Sequence, residues 1–408
     1  MLDVLIVGAG PAGTVAATVL ARKGVHVRLV DRARFPRDKL CGDTINPGTL
    51  ALLRRLELAG SLERRGLAID GMIVTGADRV SVQSRYPDGL QGRSLLRREL
   101  DWSLLQQATA AGAEFEPCTA VRHPVIDGTD GGRVSGVVGD RCGTVRARVV
   151  IAADGRHSTL AFALGLARHP RRPRRWAVGG YFENVTGVST FGEMHVRRGG
   201  YIGVAPIPGG LVNVCVVKSL DAGRESAGDG QSDASMFRDP EGLLRREVAC
   251  DWMLRERFAA ARLVMPPVVL GPLAVDVRHH AVEGLLQAGD AAGFIDPITG
   301  DGLRFAVQGG ELAAHAALEA LDRGWTGVHT RLAAARRREF STKWRFNRML
   351  RALVSSPAAL GAGEAVAAVA PSALRAIVRR AGDCNLADGS VGGTGGRGRK
   401  GGRRHPAR

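Results

Sequence analysis

The residues Gly8-Ala9-Gly10-Pro11-Ala12-Gly13 constrain this chain more than any other stretch. They follow a short apolar run, Leu2 to Val7, and precede a helical pattern that reaches Lys23. A second apolar run, Val25 to Val30, ends at Asp31, eighteen residues after Gly13. The spacing predicts strand, tight turn, helix and strand. Gly8 permits the turn, Gly10 lets a pyrophosphate approach the backbone, and Gly13 lets helix and strand pack closely. The helix start offers free N–H groups and a partial positive charge to phosphates. Asp31 can accept hydrogen bonds from ribose hydroxyls, with Arg32 beside it. A dinucleotide is therefore expected at Gly8, Gly10, Ala12, Gly13, Asp31 and Arg32. The motif does not choose between a nicotinamide and a flavin.

Two later stretches bear on that choice. "VVIAADGRHS", Val149 to Ser158, reads as an apolar strand ending in Asp154-Gly155. "GLLQAGDAAGFIDPITGDGLRF" reads as a strand ending at Gly289-Asp290, a Gly/Pro loop, and a long helix from about Gly302. Asp290 can hold a hydroxyl of a ribityl chain. The helix opening at Gly302 and Leu303 can aim N–H groups at an anionic ring edge, such as a reduced flavin carries.

Taken in this order, the three motifs resemble FAD-dependent oxidoreductases of the aromatic-hydroxylase fold, and within them the geranylgeranyl reductase family. The resemblance covers roughly residues 1 to 320 and implies an α/β fold. A Rossmann-type FAD-binding domain is interleaved with an antiparallel β-sheet substrate domain, and helices follow at the C-terminus. It implies that the glycine-rich unit and Asp290 contact FAD. It also implies that Arg97, opening a helix in "LLRRELDWSLLQQA", reaches the cofactor, and that Asp154 couples the flavin site to reductant binding. For Asp154 a strand-end turn residue is the other reading.

"KLCGDTINPGTL" resembles the Lys-x-Cys-Gly element of the same family, whose cysteine faces the flavin and substrate cavity. A thiol at Cys41 beside Lys39 and Arg37 would ionise more readily. It could give a proton to a carbon opposite the hydride. A packed wall residue is the alternative. The family's Tyr-x-Trp-x-Phe-Pro element aligns with Tyr201-Ile202-Gly203-Val204-Ala205-Pro206, so Gly203 and Ala205 stand where large aromatics are expected. The substrate pocket is expected around Tyr201, Gly203, Ala205 and Pro297, widened by that loss. A halogenase is disfavoured, because residues 60 to 96 contain no lysine and the Trp-x-Trp-x-Ile-Pro element is missing. Simple aromatic hydroxylases usually carry His where Gly293 stands. The expected activity is NAD(P)H-dependent C=C reduction of a hydrophobic lipid, terpenoid or polyketide. The alternative is hydroxylation of a phenolic or polyketide ring by a flavin monooxygenase. No second glycine-rich dinucleotide unit is evident, so NAD(P)H would bind transiently in the flavin cleft or a partner reductase would supply electrons.

The FAD-binding domain is expected at 1–65, 94–167 and 277–322, and the substrate domain at 66–93 and 168–276. A helical region follows at 323–388, then a disordered basic tail at 389–408. Arg133 to Ile151 reads as a hairpin turning at Gly139 to Gly143. The substrate strands are expected at Trp176 to Phe182, Thr190 to Val196, Tyr201 to Ala205 and Leu211 to Val217.

The net charge is +17, and the tail carries Arg397, Arg399, Lys400, Arg403, Arg404 and Arg408 without an acid. Its readings are a solubilising tail, a nucleic-acid contact, or association with an acidic membrane surface. A nucleic-acid-binding protein would leave all three flavin motifs without purpose. The six cysteines are scattered, which argues against a metal ion and a disulfide framework and suits a cytoplasmic protein. No apolar window reads as a membrane span.

Overall fold

The computed structural model describes residues 2–40, 42–76, 80–128, 132–171, 175–219, 237–278, 281–355 and 371–387. Cys41 and the basic tail lie outside them.

Leu2–Val7 is buried along almost its whole length, as a central strand between two covered faces must be. It pairs in parallel with Val27–Val30 on one side and with Gly143–Ala152 on the other. Glu114–Glu116 and Leu285–Gln287 extend the parallel sheet at its two sides. The expected hairpin is present, with Gly139 opposite Gly143. Alternate residues divide the core. Val4 and Ile6 pack toward the helices Pro11–Ala21 and Gly302–Arg323, while Leu5 and Val7 pack with Val150 and Leu160 on the other face.

The second large sheet has the order Arg262–Leu263, Arg175–Glu183, Leu211–Ser219, Gly200–Ile207, Phe191–Arg197, Gly71–Thr75, Ser81–Arg85. All four strands expected for the substrate sheet are in it. The sheet is mixed, however, because Phe191–Arg197 runs parallel to Gly71–Thr75. The two strands are far apart in sequence, so no tight hairpin forces them antiparallel. One face of this sheet, through Val178, Val212 and Val214, buries the helix Pro240–Cys250. The opposite face, through Ala177, Tyr201 and Val217, packs against Ile298 and Val354. A three-stranded ribbon, Thr44–Ile45, Gly92–Ser94 and Leu67–Ile69, joins the two parts.

The helices Val328–Ser355 and Pro371–Ala381 close over the loop before Gly302. Lys343, almost fully buried, donates to Asp301 Oδ1 at 2.8 Å and to the carbonyls of Arg380 and Ala381 at 2.6 and 3.1 Å. Asp383 pairs with both Lys343, at 3.1 Å, and Arg304, at 3.2 Å. Among the described residues no helix is long and apolar enough to cross a membrane.

Candidate active site

The Gly8–Gly13 turn has the geometry that its three glycines predict. Gly8 has φ +103°, and a Cβ there would lie 2.5 Å from the Ala153 carbonyl oxygen. A Cβ on Gly13 would lie 1.9 Å from the Gly8 oxygen, so only glycine allows helix and strand this close. Gly10 is different: its missing Cβ would point into open space, with Arg37 Nη2 nearest at 3.7 Å. Asp31 closes the turn, accepting from the N–H groups of Ala9 at 2.7 Å and Ala33 at 2.8 Å.

Gly8, Gly10, Asp31 and Arg32 line one end of a cavity of about 790 Å³. Lys39, Arg97, Asp154 and Asp290 line the same cavity, so residues from five separate stretches converge on one space. Arg97 is the first residue of the helix Arg97–Ala110 and is buried, with its Nε donating to Asp101 Oδ1 at 2.7 Å. Arg98 is exposed at the rim of the cavity and pairs with Asp38 at 3.4 Å. Gly42, at φ +85°, lets the chain pass Arg97, because a Cβ there would lie 2.7 Å from Nη1. Arg37 approaches Asp101 from the other side at 3.2 Å.

The electrostatics of this space suit an anion. The Arg97 guanidinium and burial lower the Lys39 ammonium to about 8. Among the described residues Lys39 makes no hydrogen bond or ion pair, so its donors remain available to the cavity. Burial raises the carboxyls of Asp154 and Asp290, while Lys39, Arg156 and Arg97 hold Asp290 down. Asp154 accepts from the Thr159 N–H at 2.8 Å, and its buried Oδ1 has no hydrogen-bond partner among the described residues. Cation crowding, an orphaned carboxylate oxygen and an open Gly10 are the features that a bound dinucleotide would satisfy.

The remaining expected residues lie elsewhere. Ala12 and Gly13 serve packing: a Cβ on Gly310 would lie 2.3 Å from the Ala12 oxygen, so the first helix and Gly302–Arg323 nearly touch there. Gly302 and Leu303 open that helix but do not line the cavity. Tyr201, Gly203, Ala205 and Pro297 do not line it either. Tyr201 is buried and donates to Asp296 Oδ1 at 2.6 Å, and Arg175 donates to Asp296 Oδ2 at 2.8 Å. This knot ties the second sheet to the loop that carries Pro297. Above Gly203 there is open space, where a Cβ would meet only the Cys215 oxygen, at 3.9 Å. Cys41 lies outside the described residues.

Sequence reasoning missed Asp43, Gly179, Gly180 and Tyr181. The last three line the cavity from the middle of the strand Arg175–Glu183. Two glycines inside a strand mark a close approach. A Cβ on Gly179 would lie 2.4 Å from Leu40 Cδ2, so the segment after Lys39 is pressed onto the sheet there. Leu211, Val264, Met265, Val268 and Leu270 extend this wall as an apolar strip.

Comparison with known proteins matches residues 1–343 to a family described as FAD binding domain. The chain belongs to that family. It is 33% identical over 328 residues to the menaquinone reductase of Mycolicibacterium smegmatis, covering 76% of this chain and 75% of that one. It is 29% identical over 341 residues to the digeranylgeranylglycerophospholipid reductase of Methanosarcina mazei, covering 80% and 77%. Two solved structures share the fold. A triple mutant of the flavin-dependent brominase Bmp2 superposes with TM-score 0.77 at 20% identity, over 95% of this chain and 96% of the other. A geranylgeranyl bacteriochlorophyll reductase-like protein from Thermoplasma acidophilum superposes with TM-score 0.72 at 21% identity, over 94% and 99%. The chain is thus an FAD-dependent oxidoreductase related to geranylgeranyl-type reductases.

Proposed function

We propose that this flavoprotein uses NAD(P)H to reduce a C=C bond in a polyprenyl lipid. The observation that carries the reading is the continuity of the cavity. It runs from the dinucleotide turn at Gly8 and Gly10 to the apolar strip of Leu211, Val264, Met265, Val268 and Leu270. The names of the related reductases, one of menaquinone and one of a digeranylgeranyl lipid, support that substrate class.

In this reading the N–H groups of the Gly8–Gly13 turn and Arg37 hold the pyrophosphate of FAD, and Asp31 holds the ribose. Lys39, Arg97 and Asp290 take the ribityl and phosphate oxygens. FAD, once bound and reduced, supplies a hydride. The apolar strip orients the lipid chain and excludes water. Val264, Met265 and Val268 are 36%, 36% and 42% exposed, so the strip begins at the surface, where a lipid can enter.

The test is anaerobic incubation with NADPH and either menaquinone or digeranylgeranylglycerophospholipid. A product heavier by two hydrogens in its isoprenyl chain, retained after any quinol is reoxidised, is the expected result. Absence of that product from both, with FAD bound and reduced, overturns the reading. The open space above Gly203 favours a second reading, hydroxylation of a bulkier ring. That reading requires oxygen uptake matched to an oxygenated product.

A further inference from the structure

The cavity has an acid that none of the glycine-rich motifs supplies. Tyr181 lines it, and its hydroxyl donates to Asp43 Oδ2 at 2.9 Å. Asp43 lies behind Tyr181, 3% exposed, and its Oδ1 accepts the Arg97 N–H at 2.8 Å. Both carboxylate oxygens are therefore held, one by the second sheet and one by the helix that carries Arg97. We propose that Tyr181 delivers the proton in C=C reduction, positioned and recharged by Asp43. This rests on the polyprenyl reductase reading given above.

The step balances. One carbon of the C=C takes the hydride, with its two electrons, from the reduced flavin, and the other carbon takes a proton. The π bond breaks, two C–H bonds form, and the O–H bond of Tyr181 breaks. Asp43, in its acid form, returns a proton to the tyrosine oxygen and is reprotonated from solvent.

The charged groups around Asp43 are Arg97 and Asp101 from one helix, with the Tyr181 hydroxyl from the sheet. Burial raises the Asp43 carboxyl to about 6, against the hydrogen bonds from Tyr181 and Arg97. Below that pH Asp43 carries a proton and can donate to Tyr181, which turns the hydroxyl proton toward the cavity. Above it the carboxylate accepts the hydroxyl proton and holds it back. The reaction should therefore slow as pH rises above about 6.

The experiment compares wild type, Tyr181→Phe and Asp43→Asn as FAD-loaded enzymes, with the two lipids above as probes. Both variants keep the shape of the side chain, and FAD uptake reports their folding. Tyr181→Phe should lower the turnover number at least about tenfold, with a much smaller change in KM. Asp43→Asn should lose the limb of the pH profile near 6. Infrared spectra of the same proteins without substrate give an independent readout. A carboxylic acid C=O band should grow on acidification through about pH 6, vanish in Asp43→Asn and shift in Tyr181→Phe. Tyr181→Phe retaining more than about a third of the wild-type rate overturns the proposal. So does a band that Tyr181→Phe leaves in place, or a Cys41→Ser loss with Tyr181→Phe unaffected. Wild type that binds FAD yet reduces neither lipid instead ends the functional reading beneath it.

Discussion

Two lysines, one buried and one half-buried, behave in opposite ways. Lys343 spends its donors inside the protein, on Asp301 and two backbone carbonyls, with Asp383 alongside. Lys39 bonds to nothing among the described residues and faces a cavity crowded by Arg97 and Arg37. A buried cation with paired acids holds helices together, while one left without a partner costs free energy unless an anion arrives. The Lys343 ammonium finds all its acceptors within the protein. The Lys39 ammonium keeps its donors available to a ligand in the cavity.

Lys343→Met tests the first half with the largest expected effect. It leaves Asp301 buried without its cation and Asp383 with Arg304 alone, which should cost about 3–5 kcal/mol of unfolding free energy in urea titrations. A change below about 1 kcal/mol would show that the Lys343 contacts are not what fastens the C-terminal helices.

Gly10→Val acts on the second half. Its side chain enters the space left open before Arg37, so the purified protein should be colourless and stay so after FAD is added, with its melting temperature nearly unchanged. Stoichiometric flavin in that variant would refute the placement of the pyrophosphate.

Lys39→Met should scarcely alter the stability of flavin-free protein, yet should weaken FAD binding by about 10- to 100-fold, the worth of one charged hydrogen bond. The sign of the pH effect follows from the lowered ammonium. Lys39 is charged below about 8 and neutral above it, so FAD affinity should fall as pH rises through about 8. Fluorescence titration should find that fall in wild type and not in Lys39→Met. An equal pH dependence in both would assign it to another group.

Tyr201→Phe should have the smallest effect on the site. It removes the hydroxyl donor to Asp296, worth about 1–3 kcal/mol of stability, and should leave FAD binding within about twofold. A large loss of flavin would return Tyr201 to the pocket.

Local constraints were legible in the chain itself. The Gly8–Gly13 turn and the hairpin at Gly139 to Gly143 each depend on residues a few positions apart. Steric freedom and periodicity within one segment determine them. The strand directions of the second sheet were legible only where hairpins join them. Gly71–Thr75 joins Phe191–Arg197 from across the sequence, and no local pattern predicts that parallel edge.

The site followed the same division. Sequence alone determined the dinucleotide turn and the acid at Asp31, and the family resemblance added Arg97. Only the tertiary structure decided that Lys39, Asp154 and Asp290 share their cavity, and that Tyr201 is spent on Asp296. It also decided that Tyr181 of the second sheet and Asp43 of the loop before Thr44–Ile45, 138 positions apart, meet. A hydrogen bond between distant segments depends on how whole sheets pack, and that packing is a property of the assembled core rather than of any short run of residues.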